Sequence, residues 1–131
     1  MADSRRFADW YVKSRADLSA AQILFDNGGD LSLVAFHCQQ AIEKSLKGYI
    51  LENTEKLLEG HSLIFLIRRA SAFDVDIRQF LRECAFVNQF YIEARYPSDL
   101  PDEVDGEEAK ACLDTAAKLL EYIDKQRSAR K

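Results

Sequence analysis

The sequence contains few of the residues that interrupt helices or that favour strands. Of its 131 residues, 5 are glycine and 2 are proline, and it has no runs of valine and threonine. Such a composition favours helices. Five amphipathic stretches, without an internal repeat or a linker between them, predict a single all-α domain over residues 1–131. We expect an antiparallel up-and-down bundle of four long helices plus one short helix.

The cysteines are few, and their spacing argues against a metal site. Cys38, Cys84 and Cys112 lie far apart, each in the apolar register of a helix, with no CxxC or Cys/His ligand spacing. We therefore expect buried, reduced thiols, no metal and no cofactor. The glycine patterns of a P-loop or of a dinucleotide-binding turn are also missing.

Long apolar runs and a strong positive charge are missing as well. No run approaches the roughly 20 apolar residues that span a bilayer, and the charged N-terminus has no signal-peptide core. We therefore predict a cytoplasmic protein without a membrane partner. The net charge of −4 argues against indiscriminate binding to nucleic acid but leaves room for a local basic pocket.

Apolar periodicity and capping residues predict where the helices begin and end. A first helix is expected from a cap at Asp3 or Ser4 to about Asn27, and a central helix from a cap at Asp30 to about Asn53. The other predicted helices are a short one from His61-Ser62 to about Phe73, a fourth from Asp74 or Asp76 to Arg95-Tyr96-Pro97, and a last one over about Glu107 to Arg127.

The central helix carries a polar stripe on an otherwise mostly apolar surface. At about 100° per residue, four side chains fall within an arc of about 80°. They are His37, Gln40, Lys44 and Lys47. Leu33 and Phe36 border the stripe, and its donors and positive charge suit a phosphate and the hydrogen-bonding edge of a base. The alternative is a solvated or salt-bridged face, in which Glu43 and Lys47 form an i,i+4 pair.

Four motifs carry a resemblance to a known family. They are Trp10 ahead of Ala16-Asp17-Leu18, the run Phe36-His37-x-x-Gln40-Ala41-x-Glu43-Lys44-x-Leu46-Lys47, His61-Ser62-Leu63, and Ala94-Arg95-Tyr96-Pro97. Their order, over about residues 7–123, resembles that of HEPN domains (higher eukaryotes and prokaryotes nucleotide-binding). The resemblance implies a helical bundle that usually forms a homodimer. It also implies a prokaryotic origin, often beside a small nucleotidyltransferase in toxin–antitoxin or related operons.

The resemblance implies that the chain binds a nucleotide or RNA. The residues that we predict for this role are His37, Gln40, Lys44, Lys47, Arg95 and Tyr96. Arg95 could instead neutralise the end of a helix dipole, and Tyr96 could be a core aromatic residue. His61 could equally cap or pack locally, and a metal site made of His37, His61 and Glu43 lacks paired ligand spacing.

One feature of the RNase members of this family is absent from the sequence. Those members carry an arginine followed four to six residues later by a histidine. The histidines here are His37 and His61, and no arginine lies within seven residues upstream of either. We therefore predict a non-catalytic binding module. Two alternatives stay open, namely a ribonuclease with a rearranged site of Arg95, His37 and Lys44, and a pure protein-interaction partner.

Surplus apolar residues predict a dimer built on the central and fourth helices. They lie outside the main inward stripes, and they are Leu33, Phe36, Ile50, Phe86 and Phe90. If exposed, they would form a patch large enough to associate. A two-fold interface would bring two polar stripes and two Arg95 side chains around a shared cleft.

Overall fold

The computed structural model describes residues 2–93 and 104–130. Within these ranges the chain is all-α and has no strand, as predicted. Its elements are α1 (Phe7–Asp26), α2 (Leu31–Thr54), α3 (Leu63–Ala70), a 3-10 helix (Val75–Phe80), α4 (Leu81–Asn88), α5 (Phe90–Glu93) and α6 (Gly106–Ala129). None of the helices in the described ranges is long and apolar enough to cross a membrane.

A tight turn joins α1 to α2 and makes them a hairpin. Gly28 has a φ of 71°, a left-handed conformation that glycine adopts without steric cost. The N–H of Gly29 donates to the carbonyl of Leu24 at 2.7 Å, which closes the end of α1. Asp30 Oδ1 then accepts from the N–H of Ser32 at 2.8 Å, so the predicted cap of the central helix is confirmed.

The predicted cap of the first helix is wrong. α1 begins at Phe7, and its N-cap residue is Arg6. The hydroxyl of Ser4 donates instead to the carboxylate of Asp9 at 2.6 Å. The predicted start of the short helix at His61-Ser62 is confirmed, because α3 begins at Leu63 and Ser62 Oγ accepts from the N–H of Phe65 at 3.2 Å.

The predicted fourth helix consists of three consecutive segments, the 3-10 helix, α4 and α5. Asp74 lies at the start of the first segment but makes no capping bond there. Its carboxylate accepts from the hydroxyl groups of Tyr49 and Tyr122 instead. The predicted end of this helix, at Arg95-Tyr96-Pro97, lies outside the described residues.

The central helix α2 packs against α1, α3, α4, α5 and α6. Fourteen of its 24 residues are buried, more than one face of a helix can hold, so α2 forms the middle of the bundle. Gly48 allows α1 to approach closely. A Cβ atom at this position would lie only 3.1 Å from Trp10 Cβ and 3.3 Å from Tyr11 Cε1.

All three cysteine thiols are free and buried, as predicted. Burial raises the pKa of Cys84 and of Cys112 to about 12, and it raises the pKa of Cys38 still further. These thiols are therefore protonated and unreactive near neutral pH.

Two of the residues assigned to a surplus apolar patch belong to the core. Ile50 is buried because α2 is enclosed on nearly all sides, and Phe90 is buried on α5, which packs against α2. Phe86 is partly buried and makes an edge-to-face contact with Phe90. Leu33 does remain exposed, and Phe36 is half-buried beside it on the first turns of α2.

Candidate functional site

The first polar cluster joins α1 to the central helix. The Asp17 carboxylate on α1 lies 3.0 Å from His37 Nδ1 and accepts from Lys44 Nζ at 2.6 Å. Both partners project from α2, about two turns apart along the same face. The side chains of His37 and Lys44 keep 30% and 27% of their surface exposed, so the cluster faces solvent.

The second cluster is centred on Glu43, whose side chain is only 5% exposed. Its carboxylate accepts from Lys47 Nζ at 3.1 Å and from Gln39 Nε2 at 3.2 Å, and it lies 3.0 Å from His61 Nδ1. Lys47 is buried like Glu43, whereas the His61 side chain is 49% exposed. The imidazole is therefore the part of this cluster that reaches the surface.

A pair of amides links this cluster to the middle of the stripe. Gln40 Nε2 donates to Gln39 Oε1 at 2.7 Å, and Gln39 Nε2 donates to the carbonyl of His61 at 3.1 Å. Both Gln39 and Glu43 therefore hold His61, which comes from the segment before α3. Of these residues, Gln39 is fully buried and Gln40 is half-buried.

The hydrogen bonds also fix which nitrogen of each imidazole is free. In both His37 and His61, Nδ1 lies against a carboxylate that can only accept, so Nδ1 carries the proton. In the neutral ring, Nε2 is then the atom with an unused lone pair. The two carboxylates of the clusters balance the two ammonium groups of Lys44 and Lys47.

Aromatic rings lie between the two histidines. The His61 ring stacks on Tyr91 with centroids 4.1 Å apart and an interplanar angle of 17°. Phe36 lies 6.4 Å from Tyr91 and 5.7 Å from His37, measured between ring centroids. The exposed edge of the site therefore combines imidazole groups with flat apolar surface, which suits the bases of a nucleotide or RNA.

The predicted stripe thus comes together on one face of α2, but its members differ. His37, Gln40 and Lys44 are partly exposed, whereas Lys47 is buried in the i,i+4 pair with Glu43 that the sequence offered as the alternative. Arg95 and Tyr96 lie outside the described residues. The role of all six residues in binding stays a prediction.

The sequence pattern did not assign Asp17, Gln39 or Tyr91 to the site. Asp17 stands in one of the family motifs, which was the available signal, but its partner His37 lies 20 residues away. The metal site of His37, His61 and Glu43 is not assembled, because His37 pairs with Asp17 instead. No group of three potential ligands that could hold a metal occurs among residues 2–93 and 104–130.

A polar network of a different kind lies nearer the end of α2, around Asp74. Tyr49 and Tyr122 donate to Asp74, with the shortest O–O distances at 2.7 and 2.8 Å. Burial, and then the hydrogen bond to Asp74, raises the pKa of both phenols above the ordinary value. They therefore remain neutral over the physiological range, and we assign this network to the stability of the bundle.

Comparison with known proteins adds a family and two solved structures. The family model of the HEPN domain matches residues 7–126. TT1696 from Thermus thermophilus is 30% identical over 93% of this chain and 98% of its own, with a TM-score of 0.82. The archaeal HEPN homologue ST0689 is 25% identical over 92% of this chain and 97% of its own, with a TM-score of 0.71. No curated protein matches the chain.

Proposed function

The chain belongs to the HEPN domain family, and we propose that it is a nucleotide- or RNA-binding module that acts as a homodimer without catalysis of its own. The family as a whole is associated with nucleotides and RNA. One observation carries the proposal for this chain. Two imidazoles and one ammonium group, each held by a carboxylate, open to solvent on one face of α2 beside aromatic rings.

Each part of this face matches a part of a nucleotide. Lys44 supplies a positive charge for a phosphate, and His37 adds an N–H donor at Nε2 when its ring carries both protons. Gln40 offers an amide that can pair with the edge of a base, and the rings of Phe36 and Tyr91 suit stacking. In the proposal Arg95 and Tyr96 add a second cation and a further ring to the same site.

Calorimetric titration with ATP, GTP and a short RNA of mixed sequence tests the proposal. We expect binding, and we expect Lys44→Gln to weaken it about tenfold by removing a charged donor. Lys110→Gln is the matched control, because Lys110 also pairs with an aspartate, Asp114, at 2.8 Å, but lies on α6. No heat from any ligand at millimolar concentration would refute the proposal.

The homodimer of the proposal is supported by Leu33, which is 42% exposed at the start of α2 next to the half-buried Phe36. An interface there would bring the polar faces of two copies together. We expect Leu33→Glu to shift the protein to monomer in light scattering. Val75→Glu is the control, since Val75 is 65% exposed on the 3-10 helix, away from α2. A wild-type protein that is monomeric at high micromolar concentration would exclude the dimer.

A ribonuclease with a non-standard site is the second candidate. It is favoured by the Asp17–His37 contact, which leaves Nε2 of His37 as a base near the ammonium group of Lys44. Arg95 would supply further charge in that case. Incubation of mixed RNA with the protein and with His37→Gln, in the presence and absence of divalent metal, tests it. If the RNA stays intact after incubation with the wild-type protein, ribonuclease activity is excluded.

The operon partner is the last part of the proposal. The family resemblance supports pairing with a small nucleotidyltransferase in a toxin–antitoxin-like system. Co-purification from the native host with such an enzyme and with bound nucleotide supports it. A nucleotidyltransferase that co-purifies while nucleotide and RNA fail to bind would favour the pure interaction partner instead.

A further inference from the structure

A cleft of about 400 Å³ opens between the beginning of α1 and the middle of α2. Its walls include Trp10 and Lys13 from α1 and Lys44 from α2. Lys44 also belongs to the Asp17 cluster, so the cleft and the polar face of α2 share this residue. Its volume lies in the range of small-molecule sites.

The indole of Trp10 forms a flat wall that is fixed in place. Its Nε1–H donates to the carbonyl of Ser4 at 2.8 Å. Nζ of the buried Lys47 lies 5.8 Å from the ring centroid, and the Cβ of Trp10 packs closely over Gly48. A ring held from several sides gives up little freedom when a base stacks on it.

The charges around the cleft are unevenly distributed. Asp3 and Asp9 line its α1 end, where the carboxylate of Asp9 accepts from Ser4 Oγ at 2.6 Å and pairs with Arg6 Nε at 3.2 Å. The ammonium groups of Lys13 and Lys44 belong to the same walls. An anion is therefore favoured towards Lys44 and disfavoured beside Asp9.

We infer that this cleft binds one nucleoside monophosphate unit, with its base against Trp10 and its phosphate at Lys44. A flat aromatic wall beside ammonium groups matches a ligand that joins a ring to an anion. The inference rests on the proposed function and extends its site from α2 onto α1. The unit is either a free nucleotide or one residue of an RNA chain.

Trp10 is the single tryptophan of the chain, so the native protein reports on the cleft by its own fluorescence. AMP should quench or shift this emission with the same dissociation constant that calorimetry gives. Ribose 5-phosphate, which lacks the base, should bind at least tenfold more weakly and leave the emission unchanged. A short oligoadenylate that gives the same signal at lower concentration than AMP would identify RNA as the source of the unit.

A variant supplies the second arm of the experiment. Trp10→Leu should reduce AMP affinity to that of ribose 5-phosphate and leave ribose 5-phosphate binding unchanged. Circular dichroism will show whether this variant folds. If it does not, the comparison of AMP with ribose 5-phosphate on the native protein tests the base site instead. AMP binding without a change in Trp10 emission, and equal to that of ribose 5-phosphate, overturns the base site and leaves the proposed function standing. Absence of binding by AMP, ATP and RNA overturns both.

Discussion

Two buried carboxylates, Glu43 in the middle of α2 and Asp74 packed against Tyr49 nearer the end of α2, have partners that differ in kind. Glu43 is held by the ammonium group of Lys47 and by the ring of His61. Asp74 accepts from the hydroxyl groups of Tyr49 and Tyr122. The partners, rather than the carboxylates, decide what each network can do.

The partners of the two carboxylates differ in their charge and in their position. The Glu43 network contains an ammonium group, whereas the phenols of the Asp74 network have raised pKa values and stay neutral at about pH 7. His61 also keeps half of its side chain exposed, so the Glu43 network ends at the surface. The Asp74 network joins three elements, because Tyr49 lies on α2 and Tyr122 on α6. One network is suited to a ligand and the other to holding helices together.

The contrast between the two networks is tested most strongly by Glu43→Ala. Removal of this carboxylate leaves the buried ammonium group of Lys47 without its ion-pair partner, which costs about 3–5 kcal/mol. We expect the free energy of unfolding, measured with urea, to fall by this amount. Glu43→Gln should cost less, because its amide oxygen still accepts a hydrogen bond. A loss below about 1 kcal/mol for Glu43→Ala would contradict the buried pair.

Asp74→Ala should have the next largest effect. It leaves the hydroxyl group of Tyr49 buried and unpaired and frees that of Tyr122, which is nearer the surface, for a cost of about 2–4 kcal/mol. The same urea titration measures this loss. Binding of ATP should not change, which separates this network from the face of α2. A large loss of ATP affinity in folded Asp74→Ala would show that the Asp74 network and the polar face of α2 are coupled.

Alkaline pH should act on the phenols and thiols whose pKa values are raised. Burial is the largest of the causes that raise the pKa values of Tyr49, Tyr122 and Cys84. The folded state therefore binds more protons than the unfolded state above about pH 9. Stability is then complete below the ordinary pKa values and is lost as pH rises through them towards the raised values. Each group lowers the free energy of unfolding by at most about 1.4 kcal/mol per pH unit.

Urea unfolding at several pH values between about 8 and 11 measures this slope. A double variant with Tyr49→Phe and Tyr122→Phe should have a shallower slope than the wild type. His61→Gln, a change in the Glu43 network, should leave the slope as it is. Stability that is constant over this range would contradict the raised pKa values.

Local rules explain which parts of the fold could be predicted from the sequence. The cap at Asp30 and the start of the short helix at His61-Ser62 could be predicted because a cap bonds to N–H groups two or three residues away. Asp74 failed as a cap because its carboxylate accepts from two phenols elsewhere in the fold, whereas Ser4 lies before Arg6, the N-cap residue of α1. The two phenols, on α2 and α6, are 25 and 48 residues distant from Asp74, beyond the reach of any local pattern.

The candidate site also contains some features that could be predicted from the sequence and others that could not. The stripe of His37, Gln40 and Lys44 follows from the period of one helix, and it could be read directly. The carboxylate of Asp17 comes from a different helix, and the stacking of His61 on Tyr91 joins two further segments. These contacts depend on how the helices pack. The apolar periodicity of a single sequence does not indicate which helices pack together.

Asp17→Asn should give the smallest change in stability, and the sign of its effect on binding is informative. Asp17 neutralises Lys44 on a partly exposed face, so its loss costs about 1 kcal/mol or less in urea unfolding. The same change adds one net positive charge beside the ligand and should tighten ATP binding about fivefold, or about 1 kcal/mol. Asp114→Asn, which removes an equal charge beside Lys110 on α6, is the control and should leave affinity nearly unchanged. Weaker binding by Asp17→Asn would mean that its carboxylate matters more for orienting Lys44 and His37 than for the charge of the site.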